Sequence, residues 1–170
     1  YRPADGKETA AAWISALTGN GPTALVLTRQ NLPQYEHSGL EALKGGYVLV
    51  DSEKALPDVI LLASGSEVSL CVQARELLKA KGVDARVVSM PCMELFEEQD
   101  EAYKQSVLPK AVRARLAVEA ATSFGWHKYV GLDGDTICLD HFGASAPAGK
   151  LFKAFGFTAE NVADKALALL

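Results

Sequence analysis

No Cys-x-x-Cys pair occurs in this 170-residue chain, and its three cysteines, Cys71, Cys92 and Cys138, are odd in number and far apart. Each sits among apolar or small neighbours, Cys71 on a helix face and Cys138 in a strand, as packed free thiols do. The three histidines, His37, His127 and His141, are scattered as well. The short ligand spacing of a zinc site is missing, so no metal site made of protein ligands alone is expected. There is no lysine- or arginine-rich block, and 17 basic against 21 acidic residues leave a net charge of −4. The field that holds a nucleic acid backbone is absent, which argues against nucleic acid as a partner. The longest apolar runs, such as Val59-Ile60-Leu61-Leu62-Ala63, are too short to cross a bilayer, and no positive-then-apolar leader precedes them. A soluble cytoplasmic protein is the expectation. Also missing are G-x-x-x-x-G-K-[ST], G-x-G-x-x-G and G-x-S-x-G, which removes the phosphate loop, the dinucleotide loop and the nucleophile elbow. No repeat or low-complexity tract is present.

What is there is apolar sequence, at 49% of residues, enough for one good core and a small appended unit. Asp5 followed three residues later by Glu8 has the capping-box spacing and opens an alanine-rich helix ending at Gly19-Asn20-Gly21-Pro22. Thr23 to Thr28 then reads as a buried strand with little polar alternation. Gln30 to Gly46 carries proline, paired glycines and polar residues without a sustained period, the composition of a linker or of a loop crossing a surface. Strands at Tyr47 to Val50, Pro57 to Ala63, Ala85 to Ser89, Arg115 to Val118 and Thr136 to Leu139 alternate with helical stretches. A helix from Ser66 to Lys81 brings Val68, Cys71, Val72, Arg75 and Leu78 near one face, with Gly82 to stop it. A last helix, capped by Thr158, carries Val162, Ala166, Leu169 and Leu170 at helical spacing. The expected fold class is α/β: three αβα layers around a mixed, mainly parallel five-stranded sheet, preceded by a helix-strand remnant of another α/β domain. Residues 1–30 form that remnant in this reading, 31–45 a linker and 46–170 the main domain.

In Leu25-Val26-Leu27-Thr28-Arg29-Gln30-Asn31-Leu32-Pro33 an apolar strand ends in one arginine followed by polar and proline punctuation. Open α/β sheets bind ligands outside the carboxyl ends of their strands, and a guanidinium suits phosphate or carboxylate better than an ammonium does. Arg29 is therefore the leading candidate for anion binding, against the plainer reading of a surface ion pair. Ala63-Ser64-Gly65-Ser66-Glu67 joins a strand to a helix N-terminus, where tight-turn and capping duty outweighs anion binding because Glu67 already supplies negative charge. Asp133, Asp135 and Asp140, with His141 beside the last, lie in turn chemistry and in a strand-end loop leading to a capped helix, so structure outweighs catalysis for them. His37 follows Arg29 in the same loop and reads as solvated. His127 belongs to an aromatic patch with Phe124, Trp126 and Tyr129 that packing or association would use.

Tyr1-Arg2-Pro3-Ala4-Asp5-Gly6-Lys7-Glu8-Thr9 is similar to the "RPADGNE" segment late in the pyrimidine-binding domain of the transketolase family, with Lys7 in place of the usual asparagine. Thr28-Arg29-Gln30-Asn31-Leu32-Pro33 matches that family's "SRQNLP". Gly45-Gly46-Tyr47-Val48-Leu49, Ala63 to Leu70, Asp140-His141-Phe142-Gly143-Ala144-Ser145-Ala146-Pro147 and Phe155-Gly156-Phe157-Thr158 resemble successive signatures of its C-terminal domain. The resemblance implies a thiamine diphosphate enzyme that moves a two-carbon ketol unit between sugar phosphates as a homodimer with Mg2+ (or Ca2+). It implies that Arg29 binds the substrate phosphate, that no residue here is catalytic or holds cofactor or metal, and that the C-terminal domain serves packing and dimer support. The cofactor's Gly-Asp-Gly segment and the activating glutamate lie, in that family, outside the part matched. Tyr1 opens on the lead-in to a helix, so a part of a longer protein, inactive alone, is expected. Rival readings are another thiamine enzyme, such as deoxyxylulose-phosphate synthase or a pyruvate dehydrogenase β-subunit, or a stand-alone α/β binding module. The Arg29 to Pro33 string and the Asp140 to Pro147 loop favour transketolase over the two thiamine enzymes.

Overall fold

The computed structural model describes all 170 residues. Its frame is a sheet of β1 (Tyr47–Val50), β2 (Val59–Ala63), β3 (Ala85–Ser89), β4 (Arg115–Glu119) and β5 (Asp135–Cys138). The spatial order is β1-β3-β2-β4-β5. Only β1 runs antiparallel, pairing Tyr47 with Ser89 and Val48 with Val88, while β2 is flanked in parallel by β3 and β4 and β5 extends the other edge. Every residue of β2 and β3 is buried, as in parallel sheets covered on both faces.

Alternation along β2 divides the core. Val59, Leu61 and Ala63 face a layer built from α2 (Val68–Ala80) and α7 (Ala159–Leu167), where Val68, Cys71, Ala74 and Leu78 meet Val162, Ala163 and Ala166. Ile60 and Leu62 face the opposite layer, with Phe96 of α3 (Met93–Glu97), Val107 of α4 (Glu101–Val107), and Trp126 and Tyr129 at α5 (His127–Val130). The mixed, mainly parallel αβα sandwich expected from the strand pattern is what forms. Burying one such side chain stabilises by about 1.5–3 kcal/mol, so the two layers supply the bulk of the cohesion.

Boundaries shift by a residue or two where local chemistry decides. A 3-10 turn, Gly65–Glu67, precedes α2, so that helix begins two residues later than the apolar spacing suggests. Thr158 caps α7 as expected, accepting from the Asn161 amide at 3.2 Å, but the helix ends before Leu169 and Leu170. The helix after the Asp140 loop, α6 (Ala148–Ala154), has no side-chain cap, because its N-cap position is Pro147.

At the N-terminus, α1 (Gly6–Thr18) is capped by Asp5, whose carboxylate accepts from the Glu8 amide at 2.9 Å. Glu8 departs from the capping box. It accepts from the Ala4 amide at 2.6 Å rather than from the cap residue's own, and it also accepts from Tyr47 Oη at 2.8 Å and Ser89 Oγ at 2.6 Å. The helix start is thereby tied to the β1 edge of the sheet, and burial pushes the Glu8 carboxyl up. Residues of the expected linker fold back on the same cap: the Tyr35 amide and Ser38 Oγ both donate to Asp5.

Thr23 to Thr28 is not the buried strand that its composition suggests. The segment is extended but unpaired apart from Tyr1, and Val26 and Leu27 remain 59% and 55% exposed. An extended segment becomes a strand only with neighbours to satisfy its amides and carbonyls, and here one residue supplies them.

Candidate functional site

The sheet reverses its winding between β2 and β4. From β2 the chain passes through α2 on one face to reach β3, and from β4 it passes through α5 on the other face to reach β5. The crevice outside the carboxyl ends of those two strands is where open α/β sheets take ligands.

Arg2 fills this crevice. One guanidinium nitrogen lies 2.5 Å from Glu67 and 2.5 Å from Glu119, and donates to the Ser64 carbonyl at 2.8 Å. Ser64 Oγ donates to the second oxygen of Glu119 at 2.5 Å, and the Ala120 amide donates to Glu67 at 3.0 Å. Gly65 sits in the left-handed region at φ +56°, and a Cβ there would lie 2.9 Å from the Arg2 Cζ. Burial pushes the Glu119 carboxyl up to about 7 although the Arg2 charge pulls it down. With two carboxylates turned inward and already bonded, the Ser64 to Glu67 turn is a seat for a cation. The Gly65 amide is already spent on the Arg2 carbonyl, at 2.9 Å.

Beside the crevice opens a cleft of about 420 Å3. Its lining includes Thr28, Arg29 and Gln30, Ser66 and Glu67, and Ala144 to Ala146 with Phe152. Three charged residues line it, and two of them, Arg2 and Glu67, neutralise each other. Arg29 is exposed and has no carboxylate within ion-pair distance. Next to it the Gln30 amide donates to Thr28 Oγ1 at 3.0 Å, and that hydroxyl donates to Gln30 Oε1 at 2.5 Å. A guanidinium without an ion-pair partner, lining a cleft that also holds a short loop of small residues, can take a phosphate or carboxylate.

The other candidates are engaged elsewhere. Asp133 pairs with Arg113, and Asp135 pairs with Lys165 at 2.5 Å. Asp140 accepts from the Ser123 amide at 2.8 Å and Thr122 Oγ1 at 2.9 Å, bonds that hold it below the usual carboxylate range. His141 packs edge-to-face on Phe155, with ring centres 5.3 Å apart. His37 and His127 are exposed and outside the cleft. In the aromatic patch Trp126 and Tyr129 are buried and packed edge-to-face with ring centres 6.2 Å apart, whereas Phe124 is 87% exposed. Cys71 is buried, and burial raises the Cys138 thiol to about 11. No three His, Cys, Asp or Glu side chains cluster closely enough to hold a metal ion.

Residues 45–158 match the family model described as the transketolase-like TK C-terminal domain. The chain belongs to the transketolase family. It is 54% identical to a transketolase of Nostoc sp. over 99% of its own length and 26% of that protein's. It is 52% identical to transketolase 1 of Escherichia coli, covering 100% of this chain and 26% of the relative. A crystal structure of a Pichia stipitis transketolase in complex with sedoheptulose-7-phosphate superimposes with a TM-score of 0.91 at 47% identity, over 99% of this chain and 24% of that one. The chain thus spans about a quarter of the length of the transketolases it matches. Those matches include the first 44 residues, which lie outside the C-terminal domain model and carry both Arg2 and Arg29.

Arg2, Glu67 and Glu119 are the residues that pattern reading did not bring together. The signal was available for one of them. Glu119 ends the apolar run Leu116 to Val118, the layout that singled out Arg29, and a charge placed at the end of a buried strand needs a partner.

Proposed function

We propose that this chain is the part of a transketolase that closes one side of the substrate entrance, with Arg29 binding the phosphate of a sugar phosphate. The observation that carries this reading is the unpaired Arg29 guanidinium on a cleft whose other charges cancel. The Pichia stipitis relative is described with a bound sugar phosphate, which agrees with that ligand class. Charge-assisted hydrogen bonds to a phosphate contribute about 1.5–3 kcal/mol each, enough to shift substrate affinity tenfold or more. Such contacts persist from ground state to transition state, so their loss falls on KM. In the complete enzyme, Arg29→Ala is expected to raise KM for phosphorylated sugars about tenfold more than for unphosphorylated ketol donors. Equal losses on both would remove the phosphate role.

The activity in this reading is transfer of a two-carbon ketol unit between an aldose phosphate and a ketose phosphate, in a cytoplasmic homodimer. Thiamine diphosphate with Mg2+ supplies the carbanion chemistry in that reading. The residues present here do not fit that group. The carboxylates at the sheet's own ligand crevice are bonded to Arg2, and no cluster of acidic or imidazole ligands stands elsewhere. Cofactor binding belongs, in this proposal, to the remaining three-quarters of the longer protein. Calorimetry on the 170-residue chain is expected to give no heat with the cofactor, and micromolar affinity would contradict this assignment. No helix is long and apolar enough to cross a membrane.

A further inference from the structure

The crevice at the carboxyl ends of β2 and β4 is shaped around a guanidinium. Glu67 and Glu119 reach the same Arg2 nitrogen from two different strand ends, the Ser64 carbonyl accepts from it, and Gly65 leaves open the space that a Cβ would fill. All three contacts converge on one guanidinium nitrogen, so what the crevice selects is a positive charge at that point.

The backbone around Arg2 faces two ways. On the sheet side the Arg2 amide donates to the Pro91 carbonyl at 2.8 Å, and the Arg2 carbonyl accepts from the Gly65 amide at 2.9 Å. One residue earlier, the Tyr1 nitrogen donates to the Ala24 carbonyl and the Tyr1 carbonyl accepts from the Val26 amide, both at 2.8 Å. These two bonds are the only backbone hydrogen bonds that Thr23 to Thr28 makes. Arg29 follows three residues after Val26. The backbone connection of this segment to the sheet therefore runs through Tyr1 and Arg2, the latter held by its two backbone bonds and by the seat of its guanidinium.

We infer that Arg2 is a positioning residue for Arg29: its guanidinium, held in the β2–β4 crevice, registers the segment that carries Arg29 against the sheet domain. The inference rests on the reading of Arg29 as the phosphate-binding group. In the complete enzyme, Arg2→Ala is expected to raise KM for a phosphorylated ketose about fivefold more than for an unphosphorylated ketol donor. Arg2→Lys is expected to recover part of that loss, because its tethered ammonium can still reach Glu67 and Glu119, whereas free methylguanidinium, with no link to the segment, is expected not to. Because Arg2→Ala strands two buried carboxylates, the double variant Arg2→Ala/Glu119→Gln keeps the comparison available if the single variant unfolds. Equal losses on both donors, or recovery by millimolar methylguanidinium as full as that in Arg2→Lys, would overturn the inference. The seat is tested without activity by hydrogen exchange on the 170-residue chain: the Val26 amide should exchange faster in Arg2→Ala and slow again in Arg2→Lys. If Val26 responds but Arg29→Ala shows no preference for phosphorylated substrates, the phosphate reading has failed and the seat stands. If Val26 does not respond, the seat itself has failed.

Discussion

Ala24-Leu25-Val26-Leu27 and Val59-Ile60-Leu61-Leu62-Ala63 are nearly interchangeable as sequence, yet they meet opposite fates. The second is the central strand of the sheet, wholly buried and paired on both sides. The first lies extended on the surface, with Tyr1 as its single backbone partner and more than half of Val26 and Leu27 exposed. Apolar composition sets what a segment can bury, and the neighbouring strands decide whether it does. The neighbours of Val59 to Ala63 lie within this chain. Within this chain, Ala24 to Leu27 find only Tyr1.

Hydrogen exchange tests this contrast where the expected effect is largest. Amides of Ile60 to Leu62 should exchange only through global unfolding, whereas those of Leu25 and Leu27, which have no acceptor, should exchange within orders of magnitude of an unstructured peptide. Slow exchange across Ala24 to Leu27 in a dilute monomeric sample would show that the segment finds partners in solution, and would move the expected boundary near Gly45. Side-chain truncation probes the same difference at smaller scale. Leu61→Ala should cost about 2–5 kcal/mol in denaturant unfolding, because it opens a cavity between β2 and the α2/α7 layer. Leu27→Ala should stay within about 0.5 kcal/mol. Comparable losses at both positions would mean that Leu27 is buried after all.

The same contrast marks how far the residues could be read without coordinates. Strand positions, the Thr158 cap and the Asp5 cap follow from local chemistry, so the five strands were legible to within about two residues. The short helices α3 to α6 were not separately legible, since four to seven residues carry too little period. Arg29 could be found because one cation ending an apolar run is a local pattern. The seat of Arg2 could not, because it joins residues 2, 64, 67 and 119, and no spacing rule connects them. For the same reason Glu8 read as a capping residue only, when two of its three acceptor contacts reach the sheet.

The smallest effect concerns Glu119, where the exposed stretch and the central strand are pinned together. Its carboxyl ordinarily titrates near 4.5 and is pushed up to about 7 by burial, with Arg2 opposing. The unfolded chain therefore loses this proton at lower pH than the folded one does. Between about pH 4.5 and 7 the folded state binds more protons, so this group's contribution to stability falls as pH rises, and it levels off above 7. Glu119→Gln removes the titration while keeping a side chain of the same size that can still accept from Ser64. The stability of Glu119→Gln relative to the parent chain should therefore increase from pH 5 to pH 7.5, by about 1–3 kcal/mol at a carboxyl that is not fully sealed from water. Glu8, also pushed up by burial, is present in both proteins and cancels in the difference. A difference that stays flat with pH would mean that Arg2 holds Glu119 ionised across the range. The pin would then be a full ion pair throughout, and the contrast between the two stretches would not depend on pH.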